Sequence, residues 1–409
     1  MATFGLLVGG GPAPGINGVI RSATLAAERR DCRVVGILQG FERLMQGDID
    51  HVLELDSEVV SRIHEQGGSI LRTSRANPTR DPANLERVVD ALDRLGIDHL
   101  ISIGGDDTCF SAKTVAEAAG DRLHVAHVPK TIDNDLPLPA GIPTFGFESA
   151  RATATGILTA LQEDARTAWR WYIVVLMGRN AGHLALGAAN SAGAALAVVA
   201  EEFGGESIRL ERLARIMEGT ILKSTAQGRP HGVIVLAEGL GECLDPADLA
   251  DFDLPLDEHG HVRLAELPLG HLVKERLRKG LVELGIRTTT IEKDVGYELR
   301  CVPPNAFDQD YTRDLGAGAV ETLLAGTANV MITRQDQRIV PLPFDEILDP
   351  RTGKTRVRML DVESGSFETA MALQTRLSAA DLDDPVLGPK IAGVSQLDLS
   401  ELKERFKGS

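Results

Sequence analysis

The sequence predicts an α/β protein with mostly parallel sheets and helices on both faces, arranged as two packed Rossmann-like lobes. Three observations predict it. Short, nearly continuous apolar runs such as Phe4–Val8, His99–Ile103 and Trp171–Leu176 read as strands buried on both faces. Segments of helical length and pattern follow them, so strand and helix alternate along the chain. Glycine-rich or acidic clusters stand where several of these runs end, which is where open α/β sheets bind ligands. With 409 residues, the chain is long enough for two such lobes or for one large doubly wound domain.

The elements follow in order. Phe4–Val8 is a strand, Gly9–Gly15 a glycine loop, Ile16 to Glu28 a helix and Arg33–Leu38 a second strand, which closes a βαβ unit. A helix over about Leu85–Leu95 leads into the strand His99–Ile103, then Gly104-Gly105-Asp106-Asp107-Thr108 and another helix. His124–Pro129 is a short strand that runs into Lys130-Thr131-Ile132-Asp133-Asn134-Asp135. A long Ala/Thr-rich helix, about Glu148–Asp164, precedes the strand Trp171–Leu176. Val233–Ala237 and a unit around Leu315–Thr333 continue the style. Leu254–Glu266, rich in Pro, Asp, His and Gly, reads as an irregular excursion, and the polar stretch from about Asp381 as an outer covering. No internal repeat or low-complexity linker is present. The expected division is 1–140 as a donor-binding lobe that also receives later segments, 141–335 as an acceptor-binding lobe, and 336–409 as a C-terminal extension.

Composition narrows the function. The chain has 43 Lys and Arg against 59 Asp and Glu, a net charge of −16, and no basic run. Such a surface repels nucleic acid and anionic membrane, so neither is an expected partner. Cys32, Cys109, Cys243 and Cys301 are far apart and form no metal-binding or redox spacing, which fits reduced thiols. The start of the chain shows no basic and apolar leader, and no stretch is apolar enough to span a bilayer, so a cytoplasmic location is expected.

Three clusters then carry the chemistry. Gly9 to Asn17 exposes backbone N–H groups before a helix and suits a phosphate, but it matches neither the P-loop nor the dinucleotide fingerprint. A close-packed strand–helix turn stays open as the alternative for this loop alone. Asp106, Asp107, Asp133 and Asp135 crowd four carboxylates at strand ends of an already acidic protein. Their repulsion is costly without a cation. Mg²⁺ shared between a carboxylate and substrate phosphates relieves it, and a remaining carboxylate can accept the proton of an attacking hydroxyl. Lys130 and Thr131 add a cation and a hydroxyl beside it.

The ordered set GGGPAPGIN (9–17), GGSILRTSR (67–75), GGDDT (104–108), PKTIDND (129–135), MGRNAGHLAL (177–186), AEG (237–239) and GYELR with a following FD (296–308) resembles the phosphofructokinase family from about residue 4 to 335. The resemblance implies a phosphofructokinase-like fold and a Mg²⁺-dependent transfer of phosphate to the 1-hydroxyl of fructose 6-phosphate. By position, it implies Asp133 as the base, Asp106 as the Mg²⁺ ligand, Asp135 as a second acid, and Thr131 in contact with the transferring group or the sugar. It implies Met177, Gly178 and Arg179 as the segment framing the sugar phosphate and steadying the transition state. Glu238 is implied for the sugar hydroxyls, Arg170 and Arg300 for the 6-phosphate, and Arg75 as a bridge between donor and acceptor phosphates. Arg72 has no settled role. Arg170's counterparts reach in from a neighbouring subunit, which implies a homodimer or homotetramer.

Two positions speak to the donor. Members that use ATP resemble GGDGS and GTIDND, whereas Asp107 and Lys130 stand here at the two glycine positions, as in the pyrophosphate-using branch. An Asp side chain fills the room of a nucleotide α-phosphate and repels it, while Lys130 holds a short, highly charged donor. The expected donor is pyrophosphate, bound by Gly11, Arg75, Asp107, Thr108 and Lys130, with the reaction reversible as is typical of that branch. Some residues depart from the family. Pro12 replaces an Asp, Ile291 an Arg for which Lys293 is the nearest substitute, Tyr297 a common His, and Cys301-Val302-Pro303 the usual glycines. These changes leave sedoheptulose 7-phosphate open as an acceptor. An ATP-dependent sugar-phosphate kinase and a non-catalytic sugar-phosphate sensor are the alternatives. His183, Trp169 and Trp171 read as packing residues, the tryptophans beside Arg170 at a subunit boundary.

Overall fold

The computed structural model describes residues 2–249, 267–347 and 355–408, so the expected excursion at 254–266 falls outside the described residues. In chain order the strands are β1 (Thr3–Val8), β2 (Arg33–Ile37), β3 (Val52–Glu54), β4 (His99–Gly104), β5 (His124–Thr131), β6 (Phe145–Gly146), β7 (Arg170–Leu176), β8 (Leu196–Val198), β9 (Gly232–Ala237), β10 (Thr289–Val295), β11 (Val330–Gln335) and β12 (Arg338–Pro343). They form two sheets, one in each of two compact units. The first unit comprises Met1–Thr153 and Tyr297–Arg358, the second Ala154–Gly296 and Met359–Ser409.

This division corrects the expected boundaries at 140, 141–335 and 336–409. The first change of unit falls inside the helix Phe147–Ala168. Residues 297–335 return to the first unit because helix Ala306–Leu324 lies against helix Ile16–Glu28, where Ser22 Oγ donates to Thr312 O at 3.2 Å. β11 then pairs in parallel with β5, and β12 folds back on β11.

The sheet of the first unit has the order β12-β11-β5-β4-β1-β2-β3, with β6 beside β5. β1, β2, β4, β5 and β11 run parallel, and β3 and β12 close the edges antiparallel. Both faces are covered, and period-2 alternation decides which side chain goes where. Phe4, Leu6, Val8, Ile101, Ile103, Ala126, Val128, Val330 and Ile332 face one core with the helices 16–28 and 306–324. Leu7, Leu100, Val125 and Met331 face the other, against helices Pro82–Arg94 and Asp106–Ala119. The strands therefore read as unbroken apolar runs.

The second unit is built on the all-parallel sheet β10-β7-β9-β8. Trp171 is fully buried there, whereas Trp169 is 68% exposed, so only one of the two tryptophans packs within the chain. The C-terminal stretch is more than a covering. Leu382, Ile391, Leu402 and Phe406 enter the core of this unit with Trp171 and Leu213. Arg405 donates from Nε and Nη2 to Glu218 Oε2 at 3.0 and 2.9 Å, and Glu218 is fully buried. Burial pushes the Glu218 carboxyl up, and the Arg405 charge opposes that shift.

Arg405→Met strands a buried carboxylate and is expected to cost about 3–5 kcal/mol in urea unfolding at neutral pH. The loss should shrink as pH falls, since the folded state takes up the proton of a raised carboxyl more readily than the unfolded chain. Adding Glu218→Gln should restore part of it. An unchanged urea midpoint would show that the pair carries no stability.

Candidate active site

In the first unit β2 and β3 lie on one side of β1, and β4, β5 and β11 on the other. The strand order therefore reverses between β1 and β4, the point at which doubly wound sheets open a ligand crevice. The three clusters singled out in the sequence follow β1, β4 and β5, whose carboxyl ends are neighbours in the sheet.

Each loop is held by the next. Gly9 N donates to Ile103 O at 2.9 Å and Gly10 N to Ser74 O at 2.8 Å, while Thr73 Oγ1 donates to Gly10 O at 2.6 Å. The segment before Arg75 thus lies along the glycine loop, and Arg75 is exposed there. Asn17, buried, ties the same loop to the next by accepting from Ile70 N at 3.0 Å and donating to Gln66 O at 3.2 Å. Thr108 is buried against this junction. A Cβ on Gly9 would lie 2.4 Å from Thr108 Oγ1, so glycine is required by close approach. Asp106 and Asp107 are exposed in the first turn of helix Asp106–Ala119, where the helix dipole favours carboxylates.

Lys130 is 4% exposed, and its Nζ donates to Gly11 O, spanning from β5 to the glycine loop. Burial and then the Arg300 charge push its ammonium down to about 8, against the pull of Asp133, Asp135 and Asp106. Lys130 thus sits in the field of Asp106, Asp133 and Asp135, three of the four aspartates crowded at the strand ends. Arg300 stands beside Gly11, its guanidinium carbon 3.4 Å from where a Cβ of Gly11 would be, and lies over the Tyr297 ring at 4.8 Å. The expected grouping put Tyr297 and Arg300 with the acceptor lobe. The fold puts both in the first unit, Arg300 beside Gly11 and Tyr297 against Arg300, because the chain returns to that unit at Tyr297.

The acidic loop is braced locally. Asp133 N donates to Thr131 Oγ1 at 3.0 Å, and Thr144 Oγ1 donates to Thr131 O at 2.8 Å. Two further supports lie outside the expected site residues. His127 is fully buried, and burial lowers it to about 3, so it is neutral. Its Nε2, 3.0 Å from Gly104 O, must carry the hydrogen, which leaves Nδ1 to accept from Ser102 Oγ at 2.9 Å. Asp308, of the FD motif, accepts from Gly146 N at 2.9 Å and from Ser149 N at 2.8 Å and Oγ at 2.5 Å, fixing the start of helix Phe147–Ala168.

In the second unit the ends of β10, β7 and β9 are likewise neighbours. Met177 N donates to Val295 O at 3.0 Å, and Gly178 N donates to Glu238 Oε2 at 3.2 Å. Gly178 has φ +140°, a conformation that favours glycine. Arg179 is exposed and pairs with Glu242 at 2.7 Å, and Lys293 is exposed on β10. Arg170 lies 3.4 Å from Asp164. His183 is the first residue of helix His183–Ala192, consistent with a packing role.

Among the described residues no group of three or more His, Cys, Asp or Glu is placed to hold a metal by itself. A Mg²⁺ shared with phosphate oxygens takes only one or two protein carboxylates, and exposed Asp106 fits that donor set. No helix of the described residues is long and apolar enough to cross a membrane.

Fold and site define a doubly wound α/β protein whose cations and carboxylates meet at strand ends built for phosphate. The phosphofructokinase family profile matches residues 3–323, and the chain belongs to that family. It is 46% identical over 415 residues to the pyrophosphate–fructose 6-phosphate 1-phosphotransferase of Naegleria fowleri, covering 99% of this chain and 95% of that one. It is also 46% identical to the enzyme of the same name from Thermotoga maritima over 409 residues, covering 98% and 97%. The fold matches the structure of phosphofructokinase from Saccharomyces cerevisiae with a TM-score of 0.69 at 20% identity. The match covers 99% of this chain, which spans about half, 50%, of the yeast chain.

Gly9→Ala is expected to destabilise the chain by about 1–3 kcal/mol through overpacking against Thr108. Thr108→Ala in that background should recover part of the loss, which a double-mutant cycle of urea midpoints measures. Strict additivity would show that the two positions do not share the space.

Proposed function

We propose that this chain transfers a phosphoryl group, reversibly and with Mg²⁺, from pyrophosphate to the 1-hydroxyl of fructose 6-phosphate, giving fructose 1,6-bisphosphate and phosphate. The observation that carries the reading is Lys130, a buried ammonium on the glycine loop amid Asp106, Asp133 and Asp135. A buried cation in that setting suits a donor that is almost entirely charge. The 46% identity to two pyrophosphate-using enzymes supports the same donor.

The roles follow from chemistry. Lys130 holds the pyrophosphate oxygens with the loop at Gly11 and with Arg75, and neutralises charge that builds on the transferring group. Thr108, buried behind Gly9, keeps that loop in shape, and Asp107 opposes a nucleotide α-phosphate. Asp133 accepts the proton of the sugar 1-hydroxyl as its oxygen attacks the phosphorus, and Thr131 and Asp135 orient the reacting groups. The bond to the departing phosphate breaks as the new one forms. Asp106 would hold Mg²⁺, which would supply further charge neutralisation. Arg300, beside Gly11, is placed to meet phosphate of the donor or of the acceptor. In the second unit Met177, Gly178 and Arg179 frame the sugar phosphate, Glu238 accepts from sugar hydroxyls, and Lys293 adds a contact near the 6-phosphate, for which Tyr297 is also expected. Arg170 serves the acceptor site of a neighbouring subunit in a homodimer or homotetramer. Exposed Trp169 beside it is the residue type that interfaces use.

The test is a matrix of donors and acceptors on the purified protein with Mg²⁺. Turnover with pyrophosphate and fructose 6-phosphate is expected. Turnover with ATP alone would establish the nucleotide-dependent kinase, preference for sedoheptulose 7-phosphate would reassign the acceptor, and binding without turnover the sensor. Asp133→Asn should lower kcat by about 10²–10⁴-fold, and a rate within a few-fold of the wild type would remove Asp133 as the base. For the free enzyme, kcat/KM for pyrophosphate should fall as pH rises through about 8, where Lys130 loses its proton. Lys130→Met should lower kcat/KM and abolish that alkaline limb. A limb that persists in the variant belongs to another group.

A further inference from the structure

Arg358 was silent in the sequence: it lies in Lys354-Thr355-Arg356-Val357-Arg358, far from every motif. In the first unit its side chain reaches the loop that carries Asp133 and Asp135. Nε donates to Asn134 O at 3.0 Å, Nη1 to Ile142 O at 2.7 Å, and Nη2 to Asn134 Oδ1. Its own backbone N–H donates to Asp135 O at 2.7 Å. Asn134 has φ +59°, a left-handed conformation, and its Oδ1 also accepts from Thr144 N at 3.0 Å. Such a residue turns the chain sharply between the two aspartates, and for a non-glycine residue the surroundings must hold it there.

We propose that Arg358 is the positioning residue of the acidic loop, clamping Asn134 in its left-handed turn so that Asp133 and Asp135 keep their places for phosphoryl transfer. The proposal rests on the reading of Asp133 as the base. The chemistry of the side chain supports it. A planar guanidinium meets three oxygens that lie in different directions, as a lysine ammonium on a single stem does not. Arg358 also puts a fixed positive charge near Asp135 in a chain of net charge −16. Its Nε, Nη1 and Nη2 donate to oxygens of Asn134 and Ile142. It acts by holding the loop and leaves the chemistry to Asp133.

A loop displaced by an ångström loses rate more than ground-state binding. Arg358→Met, Arg358→Lys and Arg358→Ala in the full chain are therefore compared with the wild type and with Asp133→Asn. For Arg358→Met, kcat should drop about 10- to 100-fold, with KM for pyrophosphate and for fructose 6-phosphate within about threefold. Arg358→Lys should recover only a minor part of kcat. Added guanidinium ion, at concentrations that leave the wild type unaffected, should restore activity to Arg358→Ala. Far-UV circular dichroism and thermal melting identify the folded fraction, to which every rate is normalised. Wild-type kcat per folded molecule in Arg358→Met, or an equal recovery by lysine, overturns the proposal. So does a rise in KM with kcat unchanged. Should Arg358→Met and Arg358→Ala both fail to fold, Asn134→Gly decides. It keeps the left-handed turn and removes one oxygen that Arg358 grips, so a partial loss of kcat is expected and an unchanged kcat overturns the clamp. The base reading fails separately, through an active Asp133→Asn.

Discussion

A lysine ammonium that is almost wholly removed from water needs a reason to be there, and the arrangement around Lys130 supplies one. Its Nζ is held by Gly11 O, and three aspartates pull toward the charged form while burial and Arg300 push away from it. Desolvation wins and lowers the ammonium to about 8, yet it remains mostly protonated at neutral pH. On the proposed reading, a phosphate-rich donor would change that balance, because its charge would replace the lost water as partner to Lys130. The free site is thus tuned short of full stabilisation, and the missing interaction is the one the donor brings.

The rest of the first unit keeps that cation in place. Lys130 ends β5, Gly9 follows β1, and Gly104 ends β4, so three adjacent parallel strands set the spacing before any side chain acts. His127 pins the Gly104 carbonyl as a neutral donor, and with a value near 3 it stays neutral throughout the range where the enzyme works. Thr108 fills the space behind Gly9, which limits how far that loop can sink toward the sheet. Asp308 fixes the start of the helix that follows β6. Each of these residues braces a segment that carries expected ligand contacts.

Much of this was legible in the sequence, and the reasons are particular. β1, β4, β5, β7 and β9 are covered on both faces, so Phe4–Val8, His99–Ile103 and Val233–Ala237 carry strong apolar signals. β10, Thr-Thr-Ile-Glu-Lys-Asp-Val, went unseen because an edge strand with half its residues exposed reads as a polar loop. The site residues Lys130, Asp106 and Asp133 were legible because crowded carboxylates beside a cation and glycines have no cheap structural explanation. Arg358 and His127 were not, since an isolated arginine or histidine acquires meaning only when the fold brings an acceptor to it. The division of the chain was misplaced for the same cause. Which sheet a late helix joins depends on its partner, and helix Ala306–Leu324 found its partner in the helix Ile16–Glu28.

That return of the chain bears on how the two phosphates are told apart. Resemblance implies Arg300 and Tyr297 for the sugar phosphate, but they share a unit with the glycine loop, and a Cβ on Gly11 would meet the Arg300 guanidinium at 3.4 Å. Arg300 is also the second-largest influence on Lys130, so both cations answer to one local charge. A residue that carries part of the donor's electrostatics cannot be swapped to suit a new acceptor without disturbing the donor. The exposed Lys293 on β10 and the Glu242-paired Arg179 in the second unit are not bound in that way. On the proposed roles, acceptor preference would therefore be freer to vary there, and donor preference would be locked to the first unit by the charges it shares.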